Sequence, residues 1–203
     1  MYFVKTPKIL MKFMPEICWH MDRKAKEIFL TFDDGPIPEL TPWVLDQLKE
    51  YDAKATFFSV GENFKNHPEI TKRIILEGHS IGNHTYNHLK GWKTSATSYI
   101  ENFQKFETEA LHTNLFRPPH GKIKSSQRKE IIKTHDIVMW DILSGDFDQT
   151  VSPQQCAKNV IDNATNGSII VFHDNIKATN NLKLALPATL KHFSEKGFSF
   201  CKL

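Results

Sequence analysis

Three of the 10 histidines in this 203-residue chain fall within ten residues, His79-Ser80-Ile81-Gly82-Asn83-His84-Thr85-Tyr86-Asn87-His88. His84 and His88 stand four apart, so on one helical turn both imidazoles would project from one face, a spacing suited to sharing a metal ion. One carboxylate added to the pair makes a facial triad that leaves positions open for water and substrate. His79 reads instead as a surface or satisfied core histidine. A source of the carboxylate is Thr31-Phe32-Asp33-Asp34-Gly35-Pro36, where an apolar run ends in two adjacent acids and a chain-breaking pair. In extended backbone the two acidic side chains diverge, so one can face a cation while its neighbour faces a reacting molecule. Taken alone, the segment is equally a simple Asp-Asp-Gly-Pro turn.

Three further clusters carry polar chemistry. Phe116-Arg117-Pro118-Pro119-His120-Gly121 is a rigid turn with a guanidinium able to clamp a carboxylate such as Asp33, or else a tight connection. Trp140-Asp141-Ile142-Leu143-Ser144-Gly145-Asp146-Phe147-Asp148 opens from an apolar run into an acid-rich turn, and Ile169-Ile170-Val171-Phe172-His173-Asp174 is an apolar run ending in histidine. A carboxylate paired with His173 would hold the imidazole tautomer and raise its pKa toward a value useful for general acid work. Each alone is an ordinary strand end. What they share is position, since all five clusters fall where apolar runs finish.

Those runs and the patterns between them define the scaffold. Strands are expected at Ile28–Phe32, Ala55–Val60, Ser80–Gly82, Ile137–Ile142, Ser168–Phe172 and Phe198–Leu203, where branched and aromatic residues concentrate. Helices are expected over Thr41–Tyr51, Pro68–Glu77, Ser95–His112, Ser126–Thr134, Ser152–Ala164 and Asn181–Lys196. This alternation argues for a parallel sheet covered by helices, open or closed into a barrel, with functional groups at the carboxyl ends of the strands.

Composition excludes several classes. Hydrophobic residues are 40% and charged ones 24%, ordinary globular usage. The net charge of +3, from 26 basic and 23 acidic residues, is spread without the basic stripe of a nucleic-acid face. Cys18, Cys156 and Cys201 lack the spacing of a zinc site or disulfide framework. Residues 1–27 form an N-terminal extension, broken by Lys5, Pro7, Lys8, Lys12 and Pro15, with neither a signal core nor a membrane span. Its Phe3, Ile9, Leu10, Phe13, Met14 and Ile17 are expected to pack on the domain, the alternative being a surface or membrane. The segment as it stands points to the cytoplasm. No heptad or apolar stripe speaks for an oligomer.

From Ile28 to Leu203 the chain resembles the polysaccharide deacetylase family, also called carbohydrate esterase family 4 or the NodB homology domain. The family's Thr-Phe-Asp-Asp-Gly-Pro segment is matched by Thr31 to Pro36 and its His-x-x-x-His segment by His84 to His88. Its Arg-Pro-Pro-Tyr-Gly segment becomes Arg117-Pro118-Pro119-His120-Gly121, and its Asp-x-x-Asp-Trp segment becomes Leu143-Ser144-Gly145-Asp146-Phe147. Its Leu-x-His segment becomes Val171-Phe172-His173. Residues 28–203 are thereby identified as a catalytic domain.

The resemblance implies an α/β fold, a distorted (β/α) barrel of about seven strands, holding one divalent metal, zinc first and cobalt or nickel as substitutes. It implies Asp34, His84 and His88 as ligands and Asp33 as the base, kept ionised by the cation and Arg117. The His120 backbone N–H is implied as an oxyanion donor, a device worth about 3–4 kcal/mol per donor. His173, oriented by Asp146, is implied as the acid, and Phe147, Val171 and Pro119 as walls of the acetyl pocket. The implied reaction is removal of N-acetyl groups from a peptidoglycan- or chitin-like glycan, an envelope or extracellular polymer in most of the family. The rival readings are a hydrolase of small amides or acetyl esters, and a non-catalytic sugar-binding relative.

Overall fold

The structure is a computed structural model and describes residues 2–203. Its frame begins with Glu-Ile-Phe-Leu-Thr-Phe-Asp, β1 (Glu27–Asp33), whose alternate side chains serve two different cores. Ile28, Leu30 and Phe32 point to one face, where Phe32 stacks between Phe57 and Phe172 at 5.1 and 6.1 Å. Phe29 points to the other, against Phe58, Val138 and Ile169. Thr31 and Asp33 continue that second face, so the polar end of the strand opens on the inside of the curl.

Around β1 the chain builds β2 (Ala55–Ser59), β3 (Ser80–Asn83), β4 (Leu115–Phe116), β5 (Asp136–Ile137), β6 (Ile142–Leu143), β7 (Ser168–His173) and β8 (Ser199–Phe200). The order is β5-β4-β3-β2-β1-β7-β6, every ladder is parallel, and β8 pairs with the first residues of β1. The helices are α1 (Lys8–Phe13), α2 (Thr41–Glu50), α3 (Gly61–Asn66), α4 (Pro68–Leu76), α5 (Ala96–Glu109), α6 (Ser125–Ile131), α7 (Pro153–Ile161) and α8 (Thr179–Glu195). Leu45 and Leu48 of α2, Val160 of α7 and Leu182, Leu186 and Leu190 of α8 cover the outer face of the sheet.

The two ends of this seven-strand path, β5 and β6, are separated by only four residues, 138–141. So short a link spans roughly 17 Å at full stretch, which forces the sheet edges together into a curled, incompletely closed barrel. The expected single strand Ile137–Ile142 is therefore two short strands on opposite edges. The reason lies in where the backbone groups of the link go. Val138 N–H donates to Phe116 O and Met139 N–H to Cys18 O (both 2.8 Å), while Asp141 N–H donates to Ile169 O (3.1 Å). The carbonyls of Val138 and Met139 accept from the Arg117 guanidinium at 3.1 and 2.9 Å.

The N-terminal segment lies along this seam. Leu143 N–H donates to Val4 O, Thr6 N–H to Asp141 O, and Cys18 bridges Val138. Ile17 and Trp19 are buried there, whereas Phe3, Ile9, Leu10 and Phe13 are exposed. No helix among the described residues is long and apolar enough to cross a membrane.

Candidate active site

Asp33 closes β1 and pairs in register with His173, the last residue of β7, so the two side chains leave adjacent strands on one face. Arg117 fixes the first of them. Its buried guanidinium donates through Nη1 to Asp33 Oδ1 and Thr31 Oγ1, both at 2.7 Å, and lies 4.0 Å over the Phe58 ring. A permanently charged fork with every arm engaged holds Asp33 in one orientation. Asp146, itself fully buried, fixes the second, accepting from His173 Nδ1 at 2.8 Å and from the His173 backbone N–H at 2.7 Å. Burial works against protonation of His173, but Asp146, with Asp34 and Asp33 behind it, outweighs that and pushes its pKa up to about 9.

Asp34 departs from the extended backbone expected for it, turning at φ 83°. Its Oδ1 lies 3.0 Å from His88 Nε2 and 3.5 Å from His84 Nε2. Burial raises the Asp34 carboxyl pKa, yet hydrogen bonds from the two imidazoles dominate and hold it well below the ordinary carboxylate range. One donor atom from each of the three lies within 4.8 Å of the others. Such separations suit a carboxylate and two imidazoles each about 2 Å from a shared ion, and this donor set fits a divalent transition metal.

The two histidines are not on a helical turn. Thr85 and His88 take φ of 62° and 55°, which a helix forbids. The loop is instead pinned by side chains, with Asn83 Oδ1 accepting from Thr85 N–H at 2.7 Å and Asn102 Oδ1 from Tyr86 and Asn87 N–H at 2.9 and 3.0 Å. The wound loop brings together what a regular helix would have aligned. His84 Nδ1 meets Arg117 O at 2.7 Å, which leaves Nε2 facing Asp34.

The remaining expected residues surround this centre. His120 sits at φ 59° on the loop after Arg117, exposed, its ring 4.7 Å from that of His88. Partial desolvation on the side of the ring facing its neighbours, and then His88, bring its pKa down to about 4. Pro119 beside it is buried. Phe147 stands edge-on to His173 at 5.1 Å. Val171 lies two residues below His173 on the same strand face and is fully buried, part of the floor and not open wall.

Sequence reasoning missed several supports. Asn175 donates to Asp34 Oδ2 at 2.6 Å, leaving Oδ1 toward the histidines, and Asn63 donates to Asp34 O at 2.9 Å. Asp174 accepts from Gly35 N–H at 3.0 Å and Thr41 Oγ1 at 2.6 Å, and burial pushes its pKa up to about 8. A Cβ on Gly35 would overlap the Asp174 carboxylate. Asn175 had a signal, a polar residue just past a strand that ends in histidine. Asn63, on α3, had none.

The model of the polysaccharide deacetylase family matches residues 20–139. The chain is 34% identical to a peptidoglycan-N-acetylglucosamine deacetylase of Bacillus cereus over 194 residues, 91% of this chain and 89% of that protein. It is 33% identical over 180 residues to the peptidoglycan-N-acetylglucosamine deacetylase PgdA of Listeria monocytogenes, 86% of this chain but 37% of that longer protein. Among solved structures, a peptidoglycan N-acetylglucosamine deacetylase crystallised with 4-naphthalen-1-yl-N-oxidanyl-benzamide superposes with a TM-score of 0.85. It is 32% identical, and the match covers 98% of this chain and 95% of the neighbour.

Proposed function

This chain belongs to the polysaccharide deacetylase family, and we propose that it is a metal-dependent hydrolase releasing acetate from N-acetylated sugars of a peptidoglycan- or chitin-like glycan. The observation that carries the reading is the meeting of Asp34, His84 and His88 donors within 4.8 Å, beside the cross-strand pair Asp33 and His173. Asp34, His84 and His88 would hold the ion, with zinc as the assignment from two imidazoles and a carboxylate. A divalent cation there supplies Lewis acidity, polarising an amide carbonyl and making water easier to deprotonate.

The protein's own groups then divide the work. Asp33, paired with Arg117, accepts a proton from the attacking water. The backbone N–H of His120 donates to the oxygen that gains charge as the carbonyl carbon becomes tetrahedral. His173, held by Asp146, gives its proton to the departing nitrogen as the carbon–nitrogen bond breaks, leaving acetate and a free amine. Phe147 and Pro119 border the space for the acetyl methyl, with Val171 beneath.

The test is acetate release from chitin oligomers and peptidoglycan fragments with added zinc, alongside measured metal content. Asp33→Asn should keep its metal and lose about 10²–10⁴-fold in turnover. His84→Ala should lose metal and activity together. Equal turnover of Asp33→Asn and the parent would remove Asp33 as the base, and silence of the metal-loaded parent across the panel would remove the deacetylase reading.

A further inference from the structure

The segment that closes the barrel seam also carries a helix that turns most of its apolar surface away from the fold. Thr6 is anchored by its N–H on Asp141 O and its hydroxyl on Trp140 O, and beyond the helix Ile17 and Trp19 are buried. Between these anchors α1 contains no buried residue. Ile9 and Phe13 are 65% and 76% exposed, Leu10 is 38%, and Phe3 just upstream is 66%. So short a helix has little stability of its own in water, and here it faces its largest apolar groups outward.

The angular arrangement is ordered. At about 100° per residue, Ile9 and Phe13 form one pole and Met11, which packs against the core, lies opposite. Lys8 and Lys12 flank the apolar pole on one side and Leu10 on the other. Charge in this stretch has one sign, because residues 1–15 contain Lys5, Lys8 and Lys12 and no acid. Lys5 is engaged with Asn163 O at 2.8 Å, and the first acid, Glu16, with Arg128 at 2.9 Å. Lys8 and Lys12 make no ion pair or side-chain hydrogen bond among the described residues. An outward apolar pole edged by lysines, on a helix lying along the surface, is complementary to an anionic interface with an apolar layer beneath.

We propose that α1 docks the protein on the surface of an anionic lipid bilayer. Ile9 and Phe13 enter the boundary between headgroups and acyl chains, and Lys8 and Lys12 meet lipid phosphates. The inference is independent of the metal site and of the reaction.

The full chain is sedimented with vesicles of phosphatidylcholine mixed with phosphatidylglycerol, and with vesicles of phosphatidylcholine alone. Binding to the mixed vesicles is expected, weakened by salt and by about tenfold in either Ile9→Ser/Phe13→Ser or Lys8→Glu/Lys12→Glu. Both variants should release acetate from a soluble chitin oligomer at the parent's rate, which reports an intact fold. Failure of the parent to sediment with the mixed vesicles overturns the proposal, as does equal binding to the neutral ones or parental binding by the variants. A dimer of the parent that Ile9→Ser/Phe13→Ser dissolves, without vesicle binding, assigns the face to a second copy instead.

Discussion

Asp146 and Arg117 act on different neighbours by the same physics, each holding a functional group of opposite charge from a buried position. His173 gains its raised pKa against the pull of burial, so its acid form persists through neutrality and is lost as pH rises through about 9. In Asp146→Asn the burial effect is left unopposed by the nearest carboxylate. The alkaline limb of the rate profile at saturating zinc should then move to lower pH by about one to three pH units. An unchanged limb would detach Asp146 from that role. Arg117→Met leaves Asp33 without its cation in a dry site, for which a loss of about 3–5 kcal/mol in urea unfolding is expected. At this scale the sequence was legible where residue type dictates chemistry. The capacity of Arg117 to clamp Asp33 followed from its guanidinium, but its hold on Thr31, Val138 and Met139 did not.

Among the elements, the loop after β3 shows what spacing can and cannot say. The four-residue step from His84 to His88 suited a helix, yet the loop reaches one metal-sized cluster through two left-handed residues and the side chains of Asn83 and Asn102. Asn102→Ala removes from α5 the acceptor of the Tyr86 and Asn87 N–H groups. It should cost about 1–3 kcal/mol in thermal unfolding and weaken zinc binding measured by titration, because the ligands lose their preset spacing. At the end of β1, Gly35→Ala collides with Asp174 and should depress zinc affinity likewise, while a parental titration would show the turn able to yield. The two-residue strands were the hardest to read. β4 carries too few residues for a period, and β5 and β6 share one apolar run that the fold divides.

Over the whole molecule, the proposed ligands tie the end of β1 to the loop after β3, with β2 between them. An ion bound only by the folded chain stabilises it in proportion to saturation, about 2.7 kcal/mol at a hundredfold excess over the dissociation constant. Chelation should therefore lower the melting temperature of the parent and leave His84→Ala unmoved; equal shifts would place the ion elsewhere. The sequence by itself determined the alternation of strand and helix and the placing of polar clusters at strand ends. It also determined the donor types, because these follow from local periodicity and side-chain chemistry. Tertiary structure alone decided that β5 and β6 would face each other across a seam closed by residues 138–141 and Arg117. It alone decided that Asp33 would stand beside His173, and that Asn175 and Asn63 would steady Asp34. Those pairings join residues 140, 141 and 29 positions apart, and their geometry exists only once the sheet has curled.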